Sequence, residues 1–219
     1  MSRKTEDRAS FFLLLSLLAY VLVGTFIEDD QLAEGFLLLS LYGTLLAATF
    51  YLSIKQDRKL FGVVLAVALG SVTTTVLFYR THWLGITFWV LLAVFFAFVM
   101  AGLVEHLGRP GPVSAGRISV AISLYLLIGV FWFALYNLLE ATFPGSFGQP
   151  GPAKRVAARS FLYFSLETLT TLGYGDILPL TPKARSLAVL EAAAGILYIA
   201  VAISRLVAGY QRELAESDE

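Results

Sequence analysis

The sequence predicts an all-α membrane protein with six transmembrane helices and one short re-entrant helix. Three observations predict it. Hydrophobic residues make up 58% of the 219 residues and charged residues only 15%. The mean hydropathy of +0.76 excludes an ordinary soluble domain of this length. The apolar residues also fall into six runs of bilayer-crossing length, about 20 residues each, at 11–27, 35–54, 60–79, 83–104, 118–139 and 184–208. A seventh run, 161–170, is too short to span. It reads as a re-entrant helix, a form tolerated at membrane depth only when buried in protein.

The first run follows Arg3, Lys4 and Arg8, as a signal peptide would. It ends in Phe26-Ile27-Glu28-Asp29-Asp30 rather than in small residues, so it reads as a retained span. Basic residues then set the orientation. Arg3, Lys4, Arg8, Lys55, Arg58, Lys59, Arg109 and Arg117 fall on one side, against Arg80 alone on the opposite side of the first four spans. The side with the many basic residues is cytoplasmic by the positive-inside rule, which puts both termini in the cytoplasm and the segment 140–158 outside. Formal net charge is zero and no cysteine is present, so neither a polyanionic partner nor a disulfide framework is indicated. Lone His82 and His106 lie at segment ends without a second ligand nearby, so no metal centre is expected. No nucleic-acid signature appears, and no cofactor is implied.

Directly after the re-entrant run comes Thr171-Leu172-Gly173-Tyr174-Gly175-Asp176. Its two glycines allow backbone angles that a Cβ would resist, so that successive carbonyls can be aimed at one axis. A ring of such carbonyls from several copies can replace the hydration shell of K⁺. Gly-Tyr-Gly alone is a weak motif, and a glycine-rich turn between two helices is the plain alternative. Its setting, after a short apolar helix carrying Glu167 and between two full spans, is what the chemistry needs.

The stretch Glu167-Thr168-Leu169-Thr170-Thr171-Leu172-Gly173-Tyr174-Gly175-Asp176 closely resembles the pore helix and selectivity filter of potassium channels. Residues 118–212 as a whole resemble the pore domain of the two-transmembrane potassium-channel superfamily. The resemblance implies a pore helix and filter around a fourfold pore, with K⁺ held by carbonyls of Thr171, Leu172, Gly173 and Tyr174 and by the Thr171 hydroxyl. Gly175 and Asp176 would form the outer mouth. Where the family usually has a branched residue, position 172 is Leu, whose side chain is expected behind the filter. In related pores the carboxyls matching Glu167 and Asp176 meet behind the filter, which would raise the pKa of one of them. Tyr163 and Phe164 stand where related channels often have tryptophans. The expectation is an aromatic cuff, with the Tyr163 hydroxyl reaching Asp176; an interfacial aromatic belt is the alternative.

The chain divides into a cytoplasmic N-terminus (1–10), a four-helix domain (11–104), a short cytoplasmic linker (105–117), the pore domain (118–212) and a short tail (213–219). The four-helix domain occupies the place of a voltage sensor, yet 83–104 contains no Arg or Lys. A gating charge is worth about 2.3 kcal/mol per 100 mV, so steep voltage dependence from this helix is not expected. The linker, rich in helix breakers from Gly108 to Pro112, argues against a long coupling helix and for a bundle packed beside its own pore. The short acidic tail after Arg212 implies no cytoplasmic regulatory domain in this chain.

Within the last span, Gly195 sits where many potassium channels have a hinge glycine, and close helix packing would require the same residue. Glu191 is an ionisable group deep in a membrane helix, with either a supporting role towards the pore helix or a place on a water-filled cavity. One filter segment cannot enclose an ion, so a homotetramer in contact with membrane lipid is expected, with K⁺ as the permeant ligand. No catalytic constellation accompanies it. The expected function is passive K⁺ conduction in a plasma membrane, fitting a prokaryotic inner membrane. The alternatives are a non-conducting pore-like scaffold and a secondary transporter coupled through Glu191, for which paired broken helices would be needed.

Overall fold

The computed structural model describes residues 3–26, 82–109, 114–151 and 156–217. The expected spans 35–54 and 60–79 lie outside the described residues. In chain order the elements are α1 (Arg3–Phe26), α2 (His82–Gly108), α3 (Ala115–Thr142), β1 (Phe147–Gly148), α4 (Ser160–Leu169), β2 (Leu178–Pro179) and α5 (Pro182–Ser217). The chain is mostly helical among the described residues, and α2, α3 and α5 are long and apolar enough to cross a membrane. The apolar part of α1, Arg8–Leu22, is shorter.

Local chemistry sets the helix ends. Ser114 precedes α3 in an extended conformation, and its hydroxyl accepts the Arg117 N–H at 3.3 Å, taking up a donor that the first turn leaves unpaired. Thr181 does the same for α5, accepting the Ala184 N–H at 3.3 Å. Pro182 then occupies the first helical position, where its missing N–H is not needed. The long helices extend beyond the apolar runs that predict them, α2 to Gly108 and α3 back to Ala115, because the backbone ladder continues through polar residues. Residues 105–108 and 115–117, at the two ends of the expected linker, belong to α2 and α3. An exposed Glu105–Arg109 pair, 2.6 Å apart, closes the end of α2.

Helix α3 is the hub, packing against α1, α2, α4 and α5. In the most apolar window of each helix, 61% is buried for α3 against 11% for α5. Inside a bilayer, lipid tails are as apolar as leucine, so packing and hydrogen bonds rather than hydrophobic transfer hold such helices together. Glycine provides the closeness: a Cβ at Gly129 of α3 would stand 3.0 Å from Leu166 Cδ2 of α4.

After α3 the chain turns back. The Glu140 carboxylate accepts the N–H groups of Gly145 (2.8 Å) and Phe147 (3.2 Å), and Gly145 takes a φ of +85°. This turn drives Phe147 into an aromatic cluster, with ring centroids 5.3 Å from Tyr136, 4.8 Å from Phe161 and 5.5 Å from Phe164. The edge-to-face arrangement of these pairs is the favoured one for aromatic rings. The antiparallel pairing of β1 with β2, Phe147 opposite Pro179 and Gly148 opposite Leu178, fastens the segment before α4 to the segment after it. Asn137 adds a tie from α3, donating to the Ala158 carbonyl at 3.2 Å.

Candidate filter and its support

Helix α4 ends at Leu169, and the chain leaves it through three hydrogen bonds that all point back into the helix. Thr171 N–H donates to the Thr168 carbonyl (3.0 Å), Leu172 N–H to the Glu167 carbonyl (2.8 Å) and Tyr174 N–H to the Glu167 carboxyl (3.2 Å). The donors of this segment are thus turned toward α4. Among the described residues, no carbonyl from Thr171 to Gly175 accepts a hydrogen bond.

Backbone angles account for this one-sidedness. φ is +60° at Thr171, +59° at Gly173 and +78° at Gly175, and it is not positive at the intervening Leu172 and Tyr174. In an ordinary strand successive peptide groups face opposite ways. Alternating left-handed and right-handed conformations turns every second peptide, so that neighbouring carbonyls can share a side. Glycine adopts the left-handed region freely. Thr171 does not, and for a β-branched residue that conformation is strained by about 1–2 kcal/mol. The sequence offered no sign of it, since threonine is a poor residue for positive φ.

Leu172 and Tyr174 are largely exposed in the single chain, at 56% and 67%. The Tyr174 ring is parallel to that of Tyr163, 6.5 Å away and 4° from coplanar, and the Tyr163 hydroxyl faces the carboxyls of Asp176 and Glu167. Phe164 does not join Tyr163. Successive helical residues point about 100° apart, and Phe164 enters the buried cluster, 5.0 Å from Tyr136. The expected cuff is therefore divided between two faces of α4. Glu167 is buried. Burial raises its carboxyl above the ordinary range, the Tyr174 N–H acts in the opposite direction, and the charge of Asp176 raises it further.

The two residues singled out on the last span both face α4. Glu191 is fully enclosed by its own chain. Tyr136 of α3 donates a hydrogen bond to its Oε2, and Ser165 of α4 meets its Oε1 at 2.5 Å. Ser165 Oγ also donates to the Gly129 carbonyl at 2.7 Å. Tyr136 and Ser165 were missed from sequence; the signal was Glu191 itself, since an ionisable group this deep needs polar partners on the helices beside it. Gly195 is a contact glycine: a Cβ there would stand 2.2 Å from the Leu169 carbonyl oxygen, far inside any real contact. Tyr125 directs its hydroxyl at the same carbonyl, 3.4 Å away. The end of α4, from which the filter-like segment starts, is seated directly on α5.

Comparison with known proteins finds likeness in this same stretch. Residues 120–211 match a family model described as an ion channel. The inward rectifier potassium channel Kirbac3.1 of Paramagnetospirillum magnetotacticum is 33% identical over 102 residues, covering 45% of this chain and 31% of that protein. Two-pore potassium channel 5 of Arabidopsis thaliana is 34% identical over 112 residues, 50% of this chain and 25% of that one. Two pore potassium channel c of Oryza sativa subsp. japonica is 36% identical over 93 residues, 42% of this chain and 18% of that one. The chain spans less than a third of the length of each of these relatives. No solved structure matches it. From α3 to α5, then, the chain is similar to ion channels, and the relatives it matches over 93 to 112 residues are potassium channels.

Proposed function

We propose that this chain is one subunit of a homotetrameric, K⁺-selective channel, with the segment from Thr171 to Gly175 as its filter. The observation that carries the reading is the set of consecutive carbonyls left without hydrogen-bond partners, while the N–H groups of Thr171, Leu172 and Tyr174 are tied back to α4. Unpaired backbone acceptors are costly wherever water is excluded, so such a row needs a partner. A dehydrated monovalent cation at the axis of four copies would be that partner, with the Thr171 hydroxyl completing the innermost site. Glu167, Asp176 and Tyr163 hold the segment from behind. Ion movement is passive, and no chemical step is involved.

The remaining features fit this reading. With no Arg or Lys between residues 83 and 104, α2 does not confer steep voltage dependence. α2, α3 and α5 cross a plasma membrane, with both termini in the cytoplasm and α4 entering from the outside. The four subunits and surrounding lipid cover the apolar face that α5 leaves open.

The test is the reversal potential of the purified protein in a planar bilayer, with K⁺ on one side and Na⁺ on the other. A value near the K⁺ equilibrium limit is expected, and substituting Gly173 or Gly175 abolishes it. A well-formed tetramer that K⁺ stabilises but that passes no current would instead make the chain a pore-like scaffold.

A further inference from the structure

We infer that Glu191 is a positioning residue that works as a neutral carboxylic acid, and that its proton completes a hydrogen-bond chain clamping α5 to α3 and to the helix that carries the filter. The argument is a count of hydrogens. Three contacts lie in series: Tyr136 hydroxyl to Glu191 Oε2, Glu191 Oε1 to Ser165 Oγ, and Ser165 Oγ to the Gly129 carbonyl. The Gly129 oxygen can only accept, so the single hydrogen of the Ser165 hydroxyl belongs to that contact. Tyr136 supplies the hydrogen of its own contact. The middle contact, 2.5 Å long, has a hydrogen only if Glu191 supplies it. With Glu191 protonated there are three hydrogens for three contacts; with it ionised there are two, and two oxygens are left facing each other.

The surroundings agree with this count. Glu191 is completely enclosed, and among the described residues no cationic side chain contributes to its electrostatics. The groups that face it are Tyr136 and, at longer range, Tyr125 from α3, and Ser165 from α4, which does not titrate. An unpaired carboxylate enclosed in this way would be strongly disfavoured. The clamp also sits one helical turn from Gly195, whose backbone carries the Leu169 carbonyl at the end of α4. Loss of the proton therefore loosens the seat of the filter without touching the filter itself.

The functional part of this inference rests on the channel reading; the protonation does not. The experiment uses the full chain in lipid bilayers. The infrared difference spectrum between wild type and Glu191→Gln should show a protonated-carboxyl C=O band at neutral pH, present only in wild type. In Tyr136→Phe the band should move to higher frequency, because the carbonyl oxygen loses its donor. Absence of the band, or no movement in Tyr136→Phe, overturns the proposal. K⁺ flux should fall about tenfold in wild type as pH is raised until the band disappears, the equivalent of one lost buried hydrogen bond. Glu191→Gln, whose amide both donates and accepts, should keep flux constant over the same range. An equal alkaline loss in Glu191→Gln overturns the clamp. A correct band in a protein that passes no K⁺ at all supports the protonated clamp and refutes the channel reading.

Discussion

The two sides of α4 differ in how their polar groups are satisfied. On the side of α3 and α5, the hydroxyls of Tyr136 and Ser165, the Glu191 carboxyl and the Gly129 carbonyl are buried and matched within one chain. On the side of Thr171 to Gly175 the surface is mostly exposed, three backbone angles are in the left-handed region, and the carbonyls have no partner among the described residues. The rear is complete in a single chain. The front is not, and its strained backbone is tied to α4 through the N–H groups of Thr171, Leu172 and Tyr174. A functional surface can stay unsatisfied when the structure behind it supplies the order.

Substitutions that break the rear should therefore disturb the front. The largest effect is expected at Gly195→Ala, where the added methyl would stand 2.2 Å from a backbone oxygen that cannot move without displacing α4. Overpacking of this kind costs about 3 kcal/mol. The assembled protein should melt at lower temperature and lose K⁺ flux; normal behaviour on both counts would mean that α5 is not seated on Leu169. Next is Gly173→Ala, a change confined to the front, which forces a side chain into a φ of +59° at a cost of about 1–2 kcal/mol. K⁺ over Na⁺ selectivity should be lost while the tetramer still forms, as read by reversal potential and by size. If the tetramer falls apart instead, front and rear are not separable.

Tyr136→Phe should cost about 1–2 kcal/mol in thermal stability, from leaving a buried carboxyl oxygen without its donor. Glu191→Gln should cost less, because it keeps both hydrogen bonds. A reversed order would show that packing rather than hydrogen bonding holds this junction. The smallest effect is expected at Tyr163→Phe, which retains the ring beside Tyr174 and removes only the hydroxyl facing Asp176. A faster decline of current under sustained flow, by a factor of about two to five for roughly 0.5–1 kcal/mol, is the expected readout. Unchanged decline would leave Tyr163 with a stacking role alone.

Much of this architecture is legible in the residues, and what is not has physical causes. The spans at α2, α3 and α5 follow from length and apolarity, and the short α4 from its inability to cross. Gly173 and Gly175 announce their own backbone angles, whereas Thr171 conceals its angle, since the strain there is imposed by the turn out of α4. Glu191 signals that a partner exists but not which one. Tyr136 and Ser165 are 55 and 26 residues away, and their convergence depends on how three helices pack. Phe164 misleads because pattern alone does not say that adjacent helical residues divide between the filter side and the aromatic cluster.

The uneven burial of α5 has a consequence for what folding stability means here. In its most apolar window only 11% is covered by its own chain. If other copies provide the rest, the free energy of the native state is shared among subunits and depends on how crowded they are. Denaturation would then track the protein-to-lipid ratio, and dilution into excess lipid would act as a destabilising agent in its own right.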